Sequence, residues 1–315
     1  MDKNSKQNLR YLYRVYGMNI ESDIEIKEFI NADEFEEDDE KVIINQCEIK
    51  KNIKDKIKNG LFGGSTENEI WFNIRNTAVY QIVDGNTINF EIYENADMDQ
   101  VKIYLTCSCL GFIMIQREKL AIHGGVIIDN EKAIVITGER GAGKSTITTA
   151  FRLRGFKFLS DDVAALSDSV PIRVHHGFPY EKLCIDAMKN FNYDKSKYQS
   201  FMGDTKIKYM VPAIEHFSLK DIPLGCIIEL KCENVQQVQL IEVKGIEKLS
   251  CIIKSIYRGE YLESIQGISS NYMKKCVNLS KNIRYYRITR PEDKFTVQEQ
   301  MELIEKIIKE DLKNE

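Results

Sequence analysis

The 315-residue sequence has no Cys-x-x-Cys pair and no excess of one charge. Its cysteines are at positions 47, 107, 109, 184, 226, 232, 251 and 276, a spacing that argues against a zinc site and indicates reduced thiols. Its 44 basic and 48 acidic residues are intermixed and leave a net charge of −4. A nucleic acid is therefore not an expected partner, because binding its phosphates needs a basic surface.

The sequence also lacks a long uninterrupted apolar run. The longest, residues 101–115, contains Lys102, Thr106 and Ser108 and is shorter than a membrane-spanning helix needs to be. The amino-terminal residues contain no secretory hydrophobic core. We therefore expect a cytoplasmic protein with no membrane partner, in which residues 101–115 form a buried helix.

One segment does carry a specific signal, the phosphate-loop pattern G-x-x-x-x-G-K-[ST] at residues 138–145. An apolar, β-branched run at 133–137 predicts a strand before it, and residues 145–154 predict a helix that ends at Gly155. A strand, a glycine-rich loop and a helix in this order are typical of nucleoside-triphosphate binding. The residues expected to bind the nucleotide are Gly138, Glu139, Arg140, Gly141, Ala142, Gly143, Lys144, Ser145 and Thr146.

The residue types in this loop suit phosphate chemistry. Glycines allow backbone conformations that point successive N–H groups at a phosphate chain, and the start of the following helix adds a partial positive charge. Lys144 would contact the β- and γ-phosphates, and the Ser145 hydroxyl would be a ligand of Mg²⁺.

The residues before the loop predict an unusual setting for it. Residues 121–128 predict a second strand, joined to the loop's own strand by only Asp129, Asn130 and Glu131. A connection this short makes an antiparallel hairpin, because a parallel crossover needs a dozen residues or more. The usual GTPase and motor phosphate loops lie in parallel sheets instead.

Two adjacent carboxylates follow the loop in sequence. Residues 156–162 predict a strand that ends in Asp161 and Asp162. Beside a phosphate site such a pair can divide the work, one carboxylate holding Mg²⁺ and the other accepting a proton from an attacking hydroxyl. A solvated turn is the alternative, and the neighbouring phosphate loop favours the catalytic interpretation.

These motifs together resemble a known family. Ile122-His123-Gly124, the hairpin, the phosphate loop and Ser160-Asp161-Asp162-Val163 resemble the bacterial HPr kinase/phosphorylase family, and more closely the HPr-kinase-like peptide kinases of lasso-peptide and other ribosomal-peptide biosynthesis. The resemblance implies a phosphoenolpyruvate-carboxykinase-like core and ATP- and Mg²⁺-dependent phosphorylation of a serine-type hydroxyl. It also places His123 at the active site, as a hydrogen-bond donor or electrostatic helper. A backbone partner that simply satisfies this histidine is the alternative.

The sequence departs from that family in one signature. The glycine-rich Glu-x-Arg-Gly motif, which supplies a metal-binding glutamate, is missing, and residues 174–183 look like the glycine–proline turn of the peptide kinases. This argues against HPr as the substrate and against the reverse phosphorylase reaction. Lys206 and Lys208 lie where the family has a mobile basic segment over the phosphates. With Lys182 they are candidates for contacting phosphate or substrate, although lysines on an exposed strand are often only solvated.

The expected fold class is α/β, with a mixed-sheet phosphate-loop kinase core and a small β-rich amino-terminal domain. Residues 1–96 would form that domain, because they show strand-like alternation, for example at Ile24 and Ile26, and the hairpin signal Asp84-Gly85. Residues 97–315 would form the HPr-kinase-like ATP-binding domain with carboxy-terminal helices.

The sequence thus predicts a kinase that transfers the γ-phosphoryl group of ATP to a hydroxyl of a peptide or small protein, with ribosomal-peptide tailoring as the preferred setting. Asp161 would deprotonate the acceptor, and Ser145 and Asp162 would hold Mg²⁺. A small-metabolite kinase remains an alternative, for which an enclosed acceptor pocket would be the sign. A nucleotide-gated regulatory protein without transfer is another, against which the paired aspartates argue. The sequence is compatible with a homo-oligomer and does not identify the acceptor.

Overall fold

The structure is a computed structural model that describes residues 10–35, 40–203, 206–262 and 267–311. By its internal contacts the chain divides into two compact units. Unit 1 comprises Met1–Lys119 with Glu260–Ile268, and unit 2 comprises Leu120–Gly259 with Ser269–Glu315.

Unit 1 is built on one seven-stranded mixed sheet. Its strands are β1 Tyr11–Val15, β2 Met18–Ser22, β3 Glu40–Gln46, β4 Gly63–Ser65, β5 Glu69–Ile74, β6 Ala78–Val83 and β7 Thr87–Ile92, in the order β1-β2-β3-β7-β6-β5-β4. The predicted turn Asp84-Gly85 joins β6 to β7, and both of its residues have positive φ, as such a two-residue turn requires. The predicted strand at Ile24 and Ile26 is wrong. Ile26 is buried in a loop, where its N–H donates to the Tyr13 hydroxyl at 2.8 Å.

Unit 1 contains helices α1 Lys51–Lys58 and α2 Met98–Gln116, and α2 has a π-helical segment at Leu105–Cys109. The predicted burial of α2 is confirmed. Its Phe112 ring lies 5.7 Å from the Phe72 ring of β5, and its Val101 carbonyl accepts a hydrogen bond from the Tyr80 hydroxyl at 3.1 Å. Because of these contacts the chain divides after Lys119, whereas the sequence placed the boundary at 96/97. That the two units are separate domains stays a prediction.

We expected residues 101–115 to be too short to span a membrane, but α2, the helix that contains them, is longer. The helix has 19 residues and a mean hydropathy of 1.3 in its most apolar window, which would suffice by length and composition. In the structure 61% of that window is buried, as in the core helix of a globular protein. Within the described ranges no second helix reaches these limits, and the cytoplasmic location stays a prediction.

Unit 2 contains the remaining strands. They are β8 Ala121–Asp129, β9 Lys132–Gly138, β10 Lys157–Ser160, β11 Val163–Leu166, β12 Arg173–His175, β13 Tyr180–Cys184, β14 Ser200–Met202, β15 Ile207–Pro212, β16 Ile222–Glu233, β17 Gln239–Glu242 and β18 Arg284–Pro291. Strands β13, β15 and β14 form a small antiparallel sheet, and the other eight form a larger mixed one.

Strand β9 lies inside the larger sheet, with β8 on one side and β16 on the other. Its pairing with β8 is antiparallel, so the predicted hairpin is confirmed. Its pairing with β16 is parallel, as is that of β16 with β18. The predicted α/β class with mixed sheets is therefore confirmed, whereas the assignment to a phosphoenolpyruvate-carboxykinase-like core stays a prediction.

The helices of unit 2 are α3 Lys144–Leu153, α4 Ile185–Asn190, α5 Gly245–Lys254, α6 Ser270–Asn282 and α7 Val297–Asp311, with 3-10 segments at Lys195–Lys197 and Ile214–His216. A third 3-10 segment, Gly259–Tyr261, lies where the chain passes from unit 2 to unit 1. Helices α3 and α7 pack on the central strands. Phe151 of α3 and Ile304 of α7 share a buried cluster with Ile136 of β9 and Ile228 of β16. Burial of these side chains fixes α3 on the sheet. The first turn of α3 directly follows the phosphate loop and is fixed with it.

Candidate active site

The phosphate loop connects β9 to α3, as predicted. Gly138, Gly141 and Gly143 have φ of 142°, 83° and 109°, the region that residues with a Cβ rarely adopt. A Cβ on Gly138 would also lie 2.3 Å from the carbonyl oxygen of Leu230 on β16. The loop therefore needs glycine for backbone conformation at all three positions, and for close packing at the first.

Lys144 folds back over this loop. Its Nζ donates to the carbonyl oxygens of Gly138 at 2.8 Å and Glu139 at 3.2 Å. Burial lowers the pKa of Lys144 and the nearby Lys208 lowers it further, whereas Asp162 raises it. The lysine thus lies among charges of both signs, bonded to main-chain oxygens with which the oxygens of a phosphate chain would compete.

Arg290, near the end of β18, also holds the loop and was not predicted from the sequence. Its Nε donates to the Ala142 carbonyl at 3.1 Å, and its Nη2 to the Gly141 carbonyl at 3.3 Å. An arginine distant in sequence contacts the loop because β18 lies beside β16, which pairs with β9.

The two aspartates lie in the bend between β10 and β11, and not within one strand as predicted. Strand β8 pairs with β10 along its second half and with β11 along its first half, so the bend lies beside Gly124 and Gly125. The Gly124 N–H donates to the Asp162 carbonyl at 3.0 Å, and a Cβ on Gly125 would lie 3.0 Å from the Asp161 carbonyl. Because Gly124 and Gly125 have no side chains, the bend that carries the two aspartates can lie close to β8.

The two carboxylates have different surroundings. Asp161 is buried, its Oδ2 accepts the Lys182 main-chain N–H at 2.8 Å, and its Oδ1 has no hydrogen-bond partner among the described residues. Burial, followed by the charges of Asp162 and Glu181, raises the pKa of Asp161. Asp162 Oδ2 accepts from Lys182 Nζ at 2.6 Å. Burial opposes the ionisation of Asp162, but Lys182 and other nearby cations lower its pKa overall.

This difference separates the two predicted roles. A carboxylate with a raised pKa and an unpartnered oxygen is suited to accepting a proton, because its pKa lies closer to the operating pH. A carboxylate that stays ionised is suited to a cation. The surroundings therefore favour Asp161 as the base and Asp162 as the metal ligand, the roles that the sequence predicted.

His123 lies on β8 and is partly exposed. Its main-chain N–H donates to the carbonyl oxygen of Ser255, and its ring stacks on the Tyr257 ring with centroids 5.7 Å apart. Burial and the charge of Lys144 lower the pKa of His123 to about 4. The histidine is therefore neutral near pH 7 and can donate a hydrogen bond, whereas a role that needs a positive charge is not supported.

The three candidate lysines have different positions. Lys182, on β13, is buried and bonded to Asp162. Lys208, on β15, is partly exposed and interacts by charge with His123, Lys144 and Asp162. Lys206 precedes β15 and is exposed, and the preceding Thr205 lies outside the described residues. The structure thus places Lys182 and Lys208 with the other candidate groups and gives no such contact for Lys206.

A metal site made only of side chains is not present in the described ranges, since no three His, Cys, Asp or Glu residues cluster in them. Ser145, in the first turn of α3, and Asp162 are both oxygen ligands of the kind that Mg²⁺ takes. Two protein oxygens suffice for a Mg²⁺ that takes its other ligands from phosphates and water. The residues present therefore fit a metal that arrives with a nucleotide.

Comparison with known proteins gives little further information. No protein-family model matches the sequence, and no curated protein matches it. Among solved structures, the HPr(Ser) kinase/phosphatase from Coxiella burnetii is similar over 61% of this chain and 95% of its own, with 12% sequence identity and a TM-score of 0.30. Similarity at this level assigns neither a family nor an activity to the chain.

Proposed function

We propose that this protein is an ATP- and Mg²⁺-dependent kinase that phosphorylates a serine-type hydroxyl of a peptide or small protein. The observation that carries the proposal is the pairing of a phosphate loop with a buried carboxylate. Asp161 Oδ1 has no hydrogen-bond partner among the described residues, and Asp161 interacts by charge with Lys144 of the loop. A loop that only bound a nucleotide would not need that buried acid, which is costly to bury.

The phosphate chain would lie in the loop between β9 and α3. The glycine conformations let main-chain N–H groups point at phosphate oxygens, and the start of the ten-residue helix α3 adds its partial positive charge. Lys144 Nζ would leave the carbonyls of Gly138 and Glu139 and contact phosphate oxygens. Arg290 would keep the loop in place from the side of Gly141 and Ala142.

The acceptor hydroxyl would be oriented by Asp161. Its Oδ1 would accept the hydroxyl proton as the hydroxyl oxygen attacks the γ-phosphorus, and the bond from phosphorus to the β,γ-bridging oxygen would break. The Lys182 N–H holds the other oxygen of Asp161 and fixes the direction of the carboxylate. Neutral His123 would donate a hydrogen bond, and Lys208 would stabilise charge on the transferring group.

Mg²⁺ bound with ATP would neutralise charge on the phosphates. Ser145 and Asp162 would hold it, with Asp162 kept ionised by Lys182. Lys182 donates to Oδ2 of Asp162, so it would hold this carboxylate in one orientation.

A peptide acceptor, tailoring of a ribosomal peptide, a cytoplasmic location and self-association are parts of the proposal that rest on the sequence. The resemblance to HPr-kinase-like peptide kinases supports the first two. The balanced charge of the chain supports the absence of a nucleic-acid partner.

The proposal is tested by phosphoryl transfer from radiolabelled Mg-ATP to serine-containing peptides and small proteins, and to small hydroxyl metabolites, by the full chain. Asp161→Asn keeps the size of the side chain but does not accept the proton. We expect transfer to fall about 100-fold or more, with Mg-ATP affinity by calorimetry unchanged. Asp168→Asn, at an exposed aspartate of the same unit, is the control and should leave both unchanged.

Three outcomes would contradict parts of the proposal. Normal transfer by Asp161→Asn would remove Asp161 as the base and make Asp162 the candidate. Transfer to a metabolite alone would support the small-metabolite kinase. Mg-ATP binding without transfer to any acceptor would support the nucleotide-gated protein.

A further inference from the structure

Glu181, on β13, is a buried charged residue that the sequence did not identify as important. It is 0% exposed, and the hydrogen bonds described for its carboxylate all come from helix α3. Thr149 Oγ1 lies 3.1 Å from its Oε1, and Arg152 donates to its Oε2 from Nε at 3.1 Å and from Nη2 at 2.8 Å. The single hydroxyl hydrogen of Thr149 is shared between Glu181 and a main-chain carbonyl of α3. Burying a carboxylate is costly without such partners. The contact therefore defines the position of α3 against β13.

The partners of Glu181 extend this contact in two directions. Thr149 Oγ1 also lies 2.7 Å from the carbonyl of Ser145, in the first turn of α3 next to the phosphate loop. Arg152 is itself buried, and its Nη2 donates to the Tyr193 hydroxyl at 2.7 Å. The network thus reaches from the segment after α4 to the turn of α3 that carries Lys144 and Ser145.

The next residue on β13 contacts the other half of the site. Lys182 donates its main-chain N–H to Asp161 and its Nζ to Asp162. Successive side chains of a strand point to opposite faces, so Glu181 and Lys182 contact different elements from adjacent positions. One dipeptide of β13 therefore joins the helix after the phosphate loop to the two aspartates.

We propose that Glu181 is a positioning residue that, through Thr149 and Arg152, holds α3 and the phosphate loop in register with Asp161. In-line phosphoryl transfer needs the γ-phosphorus and the base at a defined separation, and an error of about 1 Å can cost about 100-fold in rate. This inference rests on the proposed kinase function for its rate effect. Its structural part, the register of α3, does not.

The alternative is that Glu181 and Arg152 contribute only to stability, and a double variant separates the two. Glu181→Leu with Arg152→Met replaces the buried ion pair by apolar side chains of similar size, a change that often preserves stability. The control is Arg154→Met with Glu305→Leu. It removes an Arg–Glu pair at 3.1 Å from the end of the same helix, where the partner is α7 and not β13.

The test measures the melting temperature, the Kd for Mg-ATP and kcat. It also measures the amide hydrogen exchange of residues 144–148 in the absence of nucleotide. For the Glu181/Arg152 double variant we expect a melting temperature close to that of the unchanged protein, Kd within about threefold, kcat at least about 10-fold lower, and faster exchange in the first turn of α3. The Arg154/Glu305 control should change neither kcat nor that exchange. If kcat and the melting temperature of the Glu181/Arg152 double variant both match those of the unchanged protein, the proposal is overturned, because a purely structural role would then suffice.

Two further results keep the test decisive. If the double variant does not fold, Thr149→Val removes the contacts of the Thr149 hydroxyl with Glu181 and with the Ser145 carbonyl and leaves the Glu181–Arg152 pair in place. Exchange that stays unchanged in residues 144–148 would then overturn the proposal. If the unchanged protein neither binds Mg-ATP nor transfers phosphate, the kinase function fails. The exchange measurement still decides the register of α3, so the two failures are distinguishable.

Discussion

Unit 1 and unit 2 differ most in the polar side chains that they bury. Among the described residues, the buried polar side chains of unit 1 are all uncharged: Asn19, Ser22, Asn73, Thr77, Gln81 and Thr106. Among its described residues, unit 2 buries four charged ones, Arg152, Asp161, Glu181 and Lys182. Arg152 pairs with Glu181 of β13, and the main-chain N–H of Lys182, the next residue of β13, donates to Asp161. Buried charges are costly and are concentrated where chemistry needs them. The difference supports placing the proposed chemistry in unit 2.

The core of unit 1 instead contains a cluster of stacked and tilted aromatic rings. Tyr80 lies against Phe72, Phe90 and Tyr104, with ring centroids 4.9–6.4 Å apart. Such pairs stabilise a fold through burial and ring geometry and carry no proton or charge. Changes in this core should therefore affect stability, and changes among the buried charges should affect chemistry.

The largest effect should come from Lys144→Ala. The substitution removes the cation that contacts the phosphates, so we expect Mg-ATP affinity to fall about 100-fold and transfer to be lost. Calorimetry and a transfer assay measure these, with Lys157→Ala, at an exposed lysine of β10, as the control. If affinity and turnover are unchanged in Lys144→Ala, the phosphate loop does not belong to the site. The contrast between the two units in buried charge would then no longer indicate where the chemistry lies.

A core substitution in unit 1 should have a large effect of another kind. Phe90→Ala empties a fully buried position, and we expect the free energy of unfolding to fall by about 3–5 kcal/mol. Denaturant unfolding measures this, and Kd for Mg-ATP of the folded protein should not change. Phe90→Leu serves if the alanine variant does not fold. A changed Kd at full folding would show that unit 1 takes part in nucleotide binding.

A smaller effect should distinguish Lys208 from Lys206. Lys208 interacts by charge with Lys144 and Asp162, so Lys208→Ala should lower kcat about 10-fold with little change in Kd for Mg-ATP. Lys206→Ala is the matched control two residues away and should leave kcat unchanged. Equal loss in the two variants would indicate a general effect of positive charge on that strand.

A further effect should appear in the pH dependence of stability. The pKa of His123 is lowered by the fold to about 4, so unfolding allows this histidine to take up a proton. Its contribution to stability is present above pH about 6.5 and is lost as the pH falls toward 4. The melting temperature of the unchanged protein should therefore fall more steeply over this range than that of His123→Gln. Parallel curves would contradict the lowered pKa.

The sequence predicted the local parts of the site correctly. The phosphate loop with its strand and helix, and the hairpin before it, depend on glycine conformations and on a three-residue connection, which neighbouring residues determine. The strand expected at Ile24 and Ile26 was wrong because a loop can bury an isoleucine as well as a strand can. The internal contacts group α2 with unit 1, where its Phe112 ring packs near Phe72 of β5, and the domain boundary at 96/97 stays a prediction.

By itself the sequence therefore determined which residues form the phosphate loop and that two carboxylates follow it. Only the tertiary structure decided how those carboxylates differ, because Lys182 reaches them from β13 and burial depends on the whole sheet. It also decided that Arg290 contacts the loop and that Glu181 holds α3, since both contacts join residues far apart in the chain. Local spacing specifies backbone conformation, whereas the charge state and register of a buried group depend on everything packed around it.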